Sequence, residues 1–505
     1  MPKPIFRWLT VALLSIFCAT PLTPASAIAQ SQGNLPSLGD TERDALSPIS
    51  EYKLGSEIME KIRIDPDYVD DALVLDYLNN FGNRLVSMHP EARGEAGNDF
   101  FFFAVRDPAI NAFALPGGFI GVHTGLMVAA QSESELASVI GHEIGHVAQR
   151  HIARSMGQQR QDMLIPLASI VLGALAARNN PDAGMAMMTG GQGYAIQRQL
   201  NFSREAEREA DRIGFQIMRD GGFDTSGMTV FFGRLQTASR SYTDSTPSYL
   251  RTHPMTTERI ADIEARIREQ PYRQHVDSLD FHLIRARVRI LQDQTANGLY
   301  EVAGLLRQQA RSGNRTEAAA AQYGLAVIAL KQGDVAKARA LLQQVQKLAR
   351  DQTSGKRNEI LTSLSIEIKL AGNQKNDAAK EAEAALSQFP GSRGIARQYA
   401  DVLYAAGRYE DAAQYLRSQV QIYRDEAQLQ QQLAKTYAAQ GKIALMHMAL
   451  AESYGMKGGL SSALEQLALA RSSPDATFYD NSIIDARERE LQAKRREQLK
   501  EKKPR

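Results

Sequence analysis

The chain has 505 residues, 43% of them apolar, and a formal net charge of +2 from 59 basic and 57 acidic side chains. A chain of this length is expected to divide into two or more domains, each large enough to bury a core. Nine of the basic side chains lie in residues 486–505, against four glutamates there. The remainder is mildly acidic and has no basic patch interleaved with aromatic residues, so nucleic acid is excluded as a predicted partner.

The N-terminal segment has the pattern of a secretory signal peptide over residues 1–27. A basic start precedes an apolar run, which ends at the small-residue pattern Ala25–Ser26–Ala27. The run is shorter than the roughly twenty residues that a bilayer span needs. The single cysteine, Cys18, falls inside this segment, so the exported chain has no thiol, which suits an oxidising compartment. Residues 28–45 are polar and are predicted to be a linker.

After two helical patterns, the sequence changes to the short period of β-strands. Phe100–Val105 is predicted to be a strand, and residues 111–122 are predicted to be strands around the turn Pro116–Gly117–Gly118. The exposed edge of such a sheet can bind an extended peptide through main-chain hydrogen bonds. Packing of the same side chains in the core is compatible with that role, because alternate residues of a strand face opposite sides. The predicted substrate-binding edge comprises Asn111, Ala112, Phe113 and Ala114.

His142, Glu143 and His146 form an H-E-x-x-H motif within an apolar pattern typical of a core-facing helix. Two imidazoles four residues apart lie on one face of a helix and can bind one ion. Zinc is the natural metal for imidazole and carboxylate ligands, and a catalytic zinc site has three protein ligands and one open position. Glu143 is placed to take a proton from water and pass it to a leaving amine. The motif predicts a zinc endopeptidase with one ligand still to be found; the alternative is a chance match on a helix with buried histidines.

The apolar residues 163–176 follow this motif, and a Gly- and Met-rich stretch follows them at 184–193. Fourteen apolar residues are too few to span a membrane. Short helices over the active site or a lipid surface, and buried core helices, are both compatible with the pattern. In either arrangement the region is a candidate lid, because glycine accommodates backbone rotation and methionine repacks easily.

A second helix is predicted to begin near Ser203, with Glu207 and Asp211 on one face. Glu207 is a candidate third metal ligand, and Asp211 is a candidate acceptor for the spare N–H of a ligand imidazole. The competing interpretation is a solvated helix face, because arginine and glutamate alternate through this segment. The residues alone leave both interpretations open.

Beyond about residue 275 the chain is rich in Ala, Leu and Gln and shows internal similarity. Gly407 and Gly441 lie 34 residues apart in similar surroundings, which is the period of tetratricopeptide repeats. Stacked helix pairs form a curved array that binds protein segments on its concave side. We therefore predict a degenerate repeat domain over residues 273–474. The charged tail, 475–505, is predicted to be a solvated helix whose basic end can contact anionic lipid.

Four segments in a fixed order resemble the membrane-linked gluzincin family, which includes the CAAX prenyl proteases and the HtpX-type quality-control proteases. The resemblance covers about residues 45–270, and an added repeat domain is typical of the periplasmic branch of that family. The four segments are NAFALPGGFIGVHTGL (111–126), HEIGHVAQRH (142–151), SREAEREAD (203–211) and RTHP (251–254).

The resemblance implies a mainly α chain, in which a zincin-like α+β metalloprotease domain over residues 46–272 precedes an α-solenoid of tetratricopeptide repeats. It implies one Zn²⁺ per chain. The implied site comprises His142, His146 and Glu207 as metal ligands, Glu143 and Asp211 as catalytic residues, and His253 as a regulatory fourth ligand.

In the periplasmic branch, proteases of this kind take part in outer-membrane protein maturation and degrade stalled intermediates. The resemblance therefore implies a periplasmic endopeptidase that acts on unfolded or misassembled outer-membrane proteins. The repeats are expected to contact the β-barrel assembly machinery, with peripheral membrane contact as a further expectation. The alternative is a repeat-based chaperone or adaptor for the same assembly process, with a largely latent protease.

Overall fold

The computed structural model describes residues 46–94, 97–157, 204–241, 248–350 and 357–501. The predicted signal peptide and linker, the apolar stretch 163–176 and the Gly- and Met-rich stretch 184–193 lie outside the described residues. In the described part of the chain, none of the helices combines the length and apolar character that a membrane span requires.

The N-terminal part combines helices with one small sheet, as an α+β domain requires. A 3-10 turn, Pro90–Arg93, precedes the first strand. The elements in chain order are α1 (Pro48–Ile62), α2 (Ala72–Met88), β1 (Phe101–Val105), β2 (Ala112–Leu115), β3 (Phe119–His123), α3 (Thr124–Ala129), α4 (Glu133–Ala148), α5 (His151–Gly157), α6 (Arg204–Asp220), α7 (Ser226–Ser241), α8 (Ser248–Thr252) and α9 (Thr257–Arg268).

The three strands pair in the order β1-β3-β2. β1 runs parallel to β3, whereas β2 and β3 form an antiparallel hairpin. The predicted strands are confirmed, with boundaries that differ by one or two residues. The hairpin turn requires glycine, because Gly117 and Gly118 have φ of 77° and 91° and an added Cβ would lie within 2.5 Å of Tyr52 Cα and 2.3 Å of Asp99 O, respectively.

The two outer edges of this sheet differ in how their main-chain groups are satisfied. On the β1 edge, the Asn79 side chain donates to the Phe102 carbonyl at 2.8 Å and accepts from the Phe102 N–H at 3.0 Å. The Val69 N–H donates to the Ala104 carbonyl of the same strand at 3.1 Å. A side-chain amide and a short chain segment thus take the place of a neighbouring strand on β1. Among the described residues, β2 pairs with β3 alone.

Helices α4 and α6 cross at a contact made of small residues. An ideal Cβ on Gly145 would lie 2.9 Å from the Ala210 carbonyl oxygen, and one on Gly214 would lie 2.9 Å from the His142 main-chain nitrogen. The helix backbones therefore touch without intervening side chains. This close approach brings the acidic face of α6 against the histidines of α4.

The C-terminal part consists of paired antiparallel helices, which confirms the predicted helical repeat region; its assignment as tetratricopeptide repeats stays a prediction. The predicted boundary at residues 272 and 273 falls between α9 and the first of these helices. They are α10 (Leu279–Gln292), α11 (Ala296–Ser312), α12 (Arg315–Lys331), α13 (Val335–Ala349), α14 (Glu359–Ala371), α15 (Lys375–Gln388), α16 (Arg393–Ala405), α17 (Tyr409–Ile422), α18 (Ala427–Ala439), α19 (Ile443–Met456), α20 (Leu460–Ser472) and α21 (Phe478–Glu501).

The turns inside successive helix pairs use residues with positive φ. Gly333, Asn373, Gly407 and Gly441 have φ of 80°, 57°, 75° and 73°, values that favour glycine or asparagine. Small residues then let neighbouring helices approach: the alanines of α15 pack against branched residues of α16 in one buried cluster. The repeat in the sequence thus reflects a turn residue with positive φ that recurs in successive helix pairs.

The C-terminal helix α21 differs from the predicted solvated tail. Its Ile484 and Leu491 are 0% and 2% exposed and join a cluster with apolar residues of α19 and α20. Lys494 also contacts Glu60 of α1 at 2.7 Å. The prediction was wrong on this face because it weighed the charged residues of the tail and overlooked two apolar residues seven positions apart, which fall on one side of a helix.

The repeat region packs against α2 of the N-terminal part through buried polar contacts. Asp71 accepts hydrogen bonds from Arg287 of α10 at 2.9 Å. Asp76 accepts from the Gly394 N–H at the start of α16 at 3.0 Å. These contacts join residues more than two hundred positions apart in sequence and connect the repeat region to the start and first turns of α2.

Candidate metal centre

Helix α4 holds two imidazoles in the protein interior. Ser132 caps its N-terminus by accepting the Glu135 N–H at 3.2 Å. His142 and His146 are both 0% exposed, and their Nε2 atoms lie 3.0 Å apart. Spacing of four residues on a helix thus aims both nitrogens at one point.

Helix α6 brings a carboxylate to the same point. Glu207 Oε2 lies 3.5 Å from His142 Nε2, and Glu207 Oε1 lies 3.5 Å from His146 Nε2. With His253, these side chains offer four potential ligand atoms that all lie within 4.8 Å of one another. The structure therefore places the predicted ligands together, and the solvated interpretation of this α6 face does not hold for Glu207, which is 2% exposed.

A carboxylate orients the first imidazole. Asp211 Oδ1 lies 2.9 Å from His142 Nδ1, so that nitrogen carries the proton that Asp211 accepts. The lone pair of a neutral His142 ring then lies on Nε2, the atom that faces His146 and Glu207. Asp211 is placed to orient a ligand and does not itself lie at the point where the ligand atoms converge.

A second orienting pair was missed in the sequence. His151 Nε2 lies 3.1 Å from Glu209 Oε2, and His151 Nδ1 lies 2.9 Å from His146 Nδ1. If Glu209 accepts the His151 proton, His151 Nδ1 accepts from His146 Nδ1–H, which leaves His146 Nε2 free as a ligand. The sequence assigns no role to Glu209, which belongs to the alternating arginine and glutamate residues of α6. His151 could not be predicted to contact His146. It follows His146 by five residues and lies beyond the end of α4, so helical periodicity does not place the two rings together.

The site also contains an arginine that sequence analysis did not identify. Arg259 of α9 is 2% exposed. It donates to both oxygens of Asp211, from Nε at 2.6 Å and from a terminal nitrogen at 2.7 Å. Its other terminal nitrogen lies 2.7 Å from Glu207 Oε2. No local pattern separates Arg259 from the many arginines of neighbouring helices, so only the fold identifies it.

Glu143 lies beside this cluster with its carboxylate buried. It is 0% exposed, and neither of its oxygens has a hydrogen-bond partner among the described residues. Burial raises the pKa of Glu143, although His253, His142 and the nearby Ala114 N–H act to lower it. The Ala114 amide is close enough to influence the pKa without meeting hydrogen-bond geometry. Glu143 is therefore a buried base next to strand β2.

His253 occupies the remaining side of the cluster. Its Nδ1 lies 3.0 Å from Glu207 Oε1 and 3.3 Å from His142 Nε2, and its Nε2 lies 3.5 Å from Glu143 Oε1. The Tyr249 ring stacks on the imidazole at a centroid distance of 4.7 Å. The structure places His253 next to both the ligands and the base, which is where a fourth ligand would lie.

These residues fit a divalent metal ion. The Nε2 lone pairs of His142 and His146 face each other at 3.0 Å, an arrangement that needs a proton or a cation between them. Burial opposes a charged His142, yet Asp211 and Glu207 raise the pKa of His142 to about 9. The buried carboxylates thus favour positive charge at the convergence point. A bound metal would displace a proton from His142 and take its place.

A second group of acidic and histidine side chains, formed by Glu133, His275 and Asp277, lies where the two parts of the chain join. Its hydrogen-bonding capacity is used internally. Ser278 donates to one Glu133 oxygen at 2.6 Å, and His275 Nε2 lies 3.1 Å from the other. Asp277 accepts the Glu133 N–H at 2.8 Å. The group therefore caps the N-terminus of α4 and links it to the repeat region.

Comparison with known proteins places this site in a family. Residues 78–267 match the sequence profile of Peptidase family M48. The chain is 31% identical over 463 residues to the β-barrel assembly-enhancing protease of Escherichia coli K12, with 92% of each chain covered. It is 37% identical over 347 residues to the putative β-barrel assembly-enhancing protease of Vibrio cholerae, covering 67% of this chain and 68% of the other.

Another relative matches a shorter part of the chain. The mitochondrial metalloendopeptidase OMA1 of Arabidopsis thaliana is 34% identical over 150 residues, covering 30% of this chain and 28% of the relative. The peptidase profile, the metalloendopeptidase relatives and the clustered ligands together make this chain a metalloendopeptidase. Because similarity to the bacterial relatives continues from the peptidase domain through the helical repeats, the chain belongs to the β-barrel assembly-enhancing protease family within peptidase family M48.

Proposed function

We propose that this chain is a periplasmic zinc endopeptidase that cleaves unfolded or misassembled outer-membrane β-barrel proteins. The observation that carries the proposal is the convergence of His142, His146 and Glu207 beside the buried Glu143 carboxylate, which accepts no hydrogen bond among the described residues. The names of the bacterial relatives support β-barrel proteins as the client class. The predicted signal peptide supports export.

The donor set favours zinc. Two imidazole nitrogens and one carboxylate are a common ligand set for catalytic zinc. When bound, zinc would polarise the scissile carbonyl and make water a better nucleophile at neutral pH. His142, His146 and Glu207 would hold the ion. Asp211 and His151 would keep the two rings in the required tautomers.

Glu143 supplies the proton transfers. It takes a proton from the attacking water and delivers one to the nitrogen of the leaving amine. Burial raises its pKa, which brings the proton affinity of the carboxylate closer to the working pH and improves it as both base and acid. Among the described residues neither of its oxygens accepts a hydrogen bond, and the His253 ring lies close by, with its Nε2 3.5 Å from Glu143 Oε1.

The substrate main chain binds along β2. The Asn111 carbonyl accepts the His123 N–H at 3.0 Å, so in this antiparallel pair Asn111 and Phe113 direct their main-chain groups towards β3. Ala112 and Ala114 then direct theirs towards the free edge, and the Ala114 N–H is the group near Glu143. A peptide must be extended to pair there, which favours unfolded or misassembled clients over folded ones.

His253 regulates access to the site in this proposal. A histidine whose Nδ1 lies 3.0 Å from Glu207 Oε1 can complete the coordination of the metal and leave no position for water. The enzyme is then latent until His253 moves away. We also propose that residues 163–176 act as the lid that the sequence predicts.

The helical repeats recruit the clients or the assembly machinery. We propose that they are tetratricopeptide repeats whose concave face binds segments of the outer-membrane assembly apparatus, with peripheral membrane contact near the outer membrane. The positive-φ turns at similar intervals and the buried alanines support this assignment. A second candidate function is a repeat-based chaperone or adaptor with a largely latent protease, which the position of His253 favours.

The test compares cleavage of an unfolded outer-membrane β-barrel protein by zinc-loaded wild type, Glu143→Gln and His253→Ala. We expect slow cleavage by wild type, none by Glu143→Gln and faster cleavage by His253→Ala. His447→Ala is the matched control, because His447 lies in the repeats and pairs with Gln466 at 2.8 Å. Cleavage by Glu143→Gln at the wild-type rate would overturn the assignment. Client binding without cleavage by any variant would favour the chaperone function.

A further inference from the structure

The buried guanidinium of Arg259 is shared among three acceptors that belong to different parts of the site. Asp211 accepts two hydrogen bonds, at 2.6 and 2.7 Å, and Glu207 Oε2 forms an ion pair at 2.7 Å. The Pro254 carbonyl accepts a hydrogen bond from the same terminal nitrogen at 2.8 Å. Arg259 therefore contacts the carboxylate ligand, the residue that orients His142, and the main chain next to His253.

The charges of the site balance only when this arginine is included. Glu143, Glu207 and Asp211 are three buried carboxylates, each 2% exposed or less. Ionised carboxylates in the interior are costly unless opposite charge compensates them. A bound divalent ion would compensate two of the three negative charges if all three carboxylates are ionised, and Arg259 would compensate the third.

The planar guanidinium of arginine, with its three nitrogens arranged as a fork, also explains how one side chain contacts Asp211, Glu207 and Pro254 at once. Nε and one terminal nitrogen bind the two oxygens of Asp211 side by side, while the other terminal nitrogen remains free for Glu207 and Pro254. A lysine ammonium has one nitrogen and cannot span these acceptors at once. The fork thus fixes Glu207 and Asp211, which lie one turn apart on α6, relative to the turn that carries His253.

We propose that Arg259 is a positioning residue of the metal centre. It holds the Glu207 and Asp211 carboxylates in ligand-competent orientations and anchors the His253–Pro254 turn against them. Loss of the guanidinium should therefore weaken metal binding before any effect on substrate binding. The inference rests on the proposed metal site and is independent of which client the enzyme cleaves.

The experiment compares Arg259→Gln and Arg259→Lys with wild type in the full-length exported chain. The metal dissociation constant is measured by chelator competition, and the ligand geometry is followed by the absorption of the Co²⁺-substituted protein. We expect Arg259→Gln to bind metal about 10- to 100-fold more weakly, as for other losses of a ligand's hydrogen-bond partner. Arg259→Lys should recover part of the affinity, because it keeps the charge, but not the wild-type Co²⁺ spectrum.

Arg234→Gln is the matched control. Arg234 forms a comparable two-pronged contact with Glu135 of α4, at 2.9 and 2.6 Å, outside the metal centre. Its loss should lower the thermal midpoint without changing metal affinity. At saturating metal, kcat of the Arg259 variants on an unfolded protein should fall while KM stays within about twofold of the wild-type value.

Wild-type metal affinity and an unchanged Co²⁺ spectrum in a folded Arg259→Gln protein would overturn the inference. If Arg259→Gln does not fold, Arg259→Lys provides the test instead. A wild-type dissociation constant and a wild-type Co²⁺ spectrum in Arg259→Lys would then overturn the inference. Failure of the proposed metal site gives a different result, because wild type itself would then bind no metal, and failure of the proposed protease activity is seen separately in the cleavage assay with Glu143→Gln.

Discussion

Substitution of Gly214 by alanine tests whether close packing of α4 and α6 builds the metal centre. Gly214 lies on α6, seven residues after Glu207, and faces the backbone of α4. An ideal Cβ there would lie 2.9 Å from the His142 main-chain nitrogen and 3.0 Å from the Gly141 carbonyl carbon. The obstructing atoms are backbone, so they cannot rotate away as a side chain would. The two helices must separate.

The required separation follows from the contact distance. Ordinary van der Waals contact of a Cβ begins at 3.4 Å, so a contact of 2.9 Å demands a shift of about half an ångström. Metal–ligand distances tolerate about 0.2 Å, so Glu207 would leave its ligand position. Displacements of about 1 Å cost about 100-fold in catalysis, and we expect about a tenfold loss of metal affinity, equivalent to about 1.4 kcal/mol.

The cost in stability should be smaller than that of a typical overpacking. Overpacking costs about 1–3 kcal/mol, but alanine regains about 1 kcal/mol of helix propensity over glycine. The net loss in the free energy of unfolding should therefore be about 0–2 kcal/mol. We therefore expect Gly214→Ala to fold but to bind metal more weakly than wild type.

The assay pairs chelator competition with thermal unfolding. Gly233→Ala is the control, because Gly233 also lies inside a helix and an added Cβ meets nothing within 4 Å; it should keep metal affinity and gain up to about 1 kcal/mol of stability. If Gly214→Ala binds zinc as tightly as wild type, the reasoning that helix contact sets the Glu207 position is refuted.

Three further predictions concern individual side chains. Glu143→Gln should lower kcat by about 10²- to 10⁴-fold while one zinc stays bound, as steady-state kinetics and metal analysis will show; joint loss of metal and activity would contradict this. Asp211→Asn should weaken zinc binding by about 10- to 100-fold, measured by chelator competition, because an amide accepts more weakly from His142; an unchanged dissociation constant would argue against the orienting role. Burial raises the pKa of Asp76 from 3.8 to about 7 despite the hydrogen bond from the Gly394 amide. The folded state then holds this proton more tightly than the unfolded state, so the free energy of unfolding should fall as the pH rises from about 4 to about 7. Asp76→Asn should reduce this pH dependence of the free energy of unfolding, measured by denaturant titration. The same pH dependence in wild type and variant would refute the raised pKa of Asp76.

The sequence predicted the parts of the site that depend on local spacing. His142 and His146 could be predicted as a pair because a helix places residues four apart on one face, and Glu143 belongs to the same motif. Glu207 and Asp211 needed the family resemblance, since alternating charges on a helix are equally typical of a solvated face. The structure resolves that ambiguity through the glycine contact of α4 with α6, which buries Glu207 against the two histidines.

Arg259 and His151 could not be predicted from the sequence. Arg259 reaches Asp211 across 48 residues, and the three-dimensional arrangement of α6 and α9 alone reveals the pairing. His151 follows Arg150, whose φ is 52°, so the chain reverses between α4 and α5 and returns the imidazole to His146. A regular helix pattern does not anticipate such a turn.

In the fold, too, features with a local sequence signal were predictable and features without one were not. Strands and repeat helices were predictable, because alternation, helical periodicity and the 34-residue interval between Gly407 and Gly441 are local signals. The closure of the β1 edge by Asn79 was not predictable, because one side-chain amide leaves no periodic signal. The packing of α21 was missed because Ile484 and Leu491 are two apolar residues within a strongly charged segment.

The metal centre is tested most directly by the zinc stoichiometry of the purified wild-type protein and of Glu207→Gln, measured by equilibrium dialysis at matched helical content. We expect one tightly bound ion per wild-type chain and loss of that ion from a folded Glu207→Gln protein. Retention of one zinc by Glu207→Gln with wild-type affinity would contradict the claim that two imidazoles of α4 and this carboxylate of α6 form the metal centre.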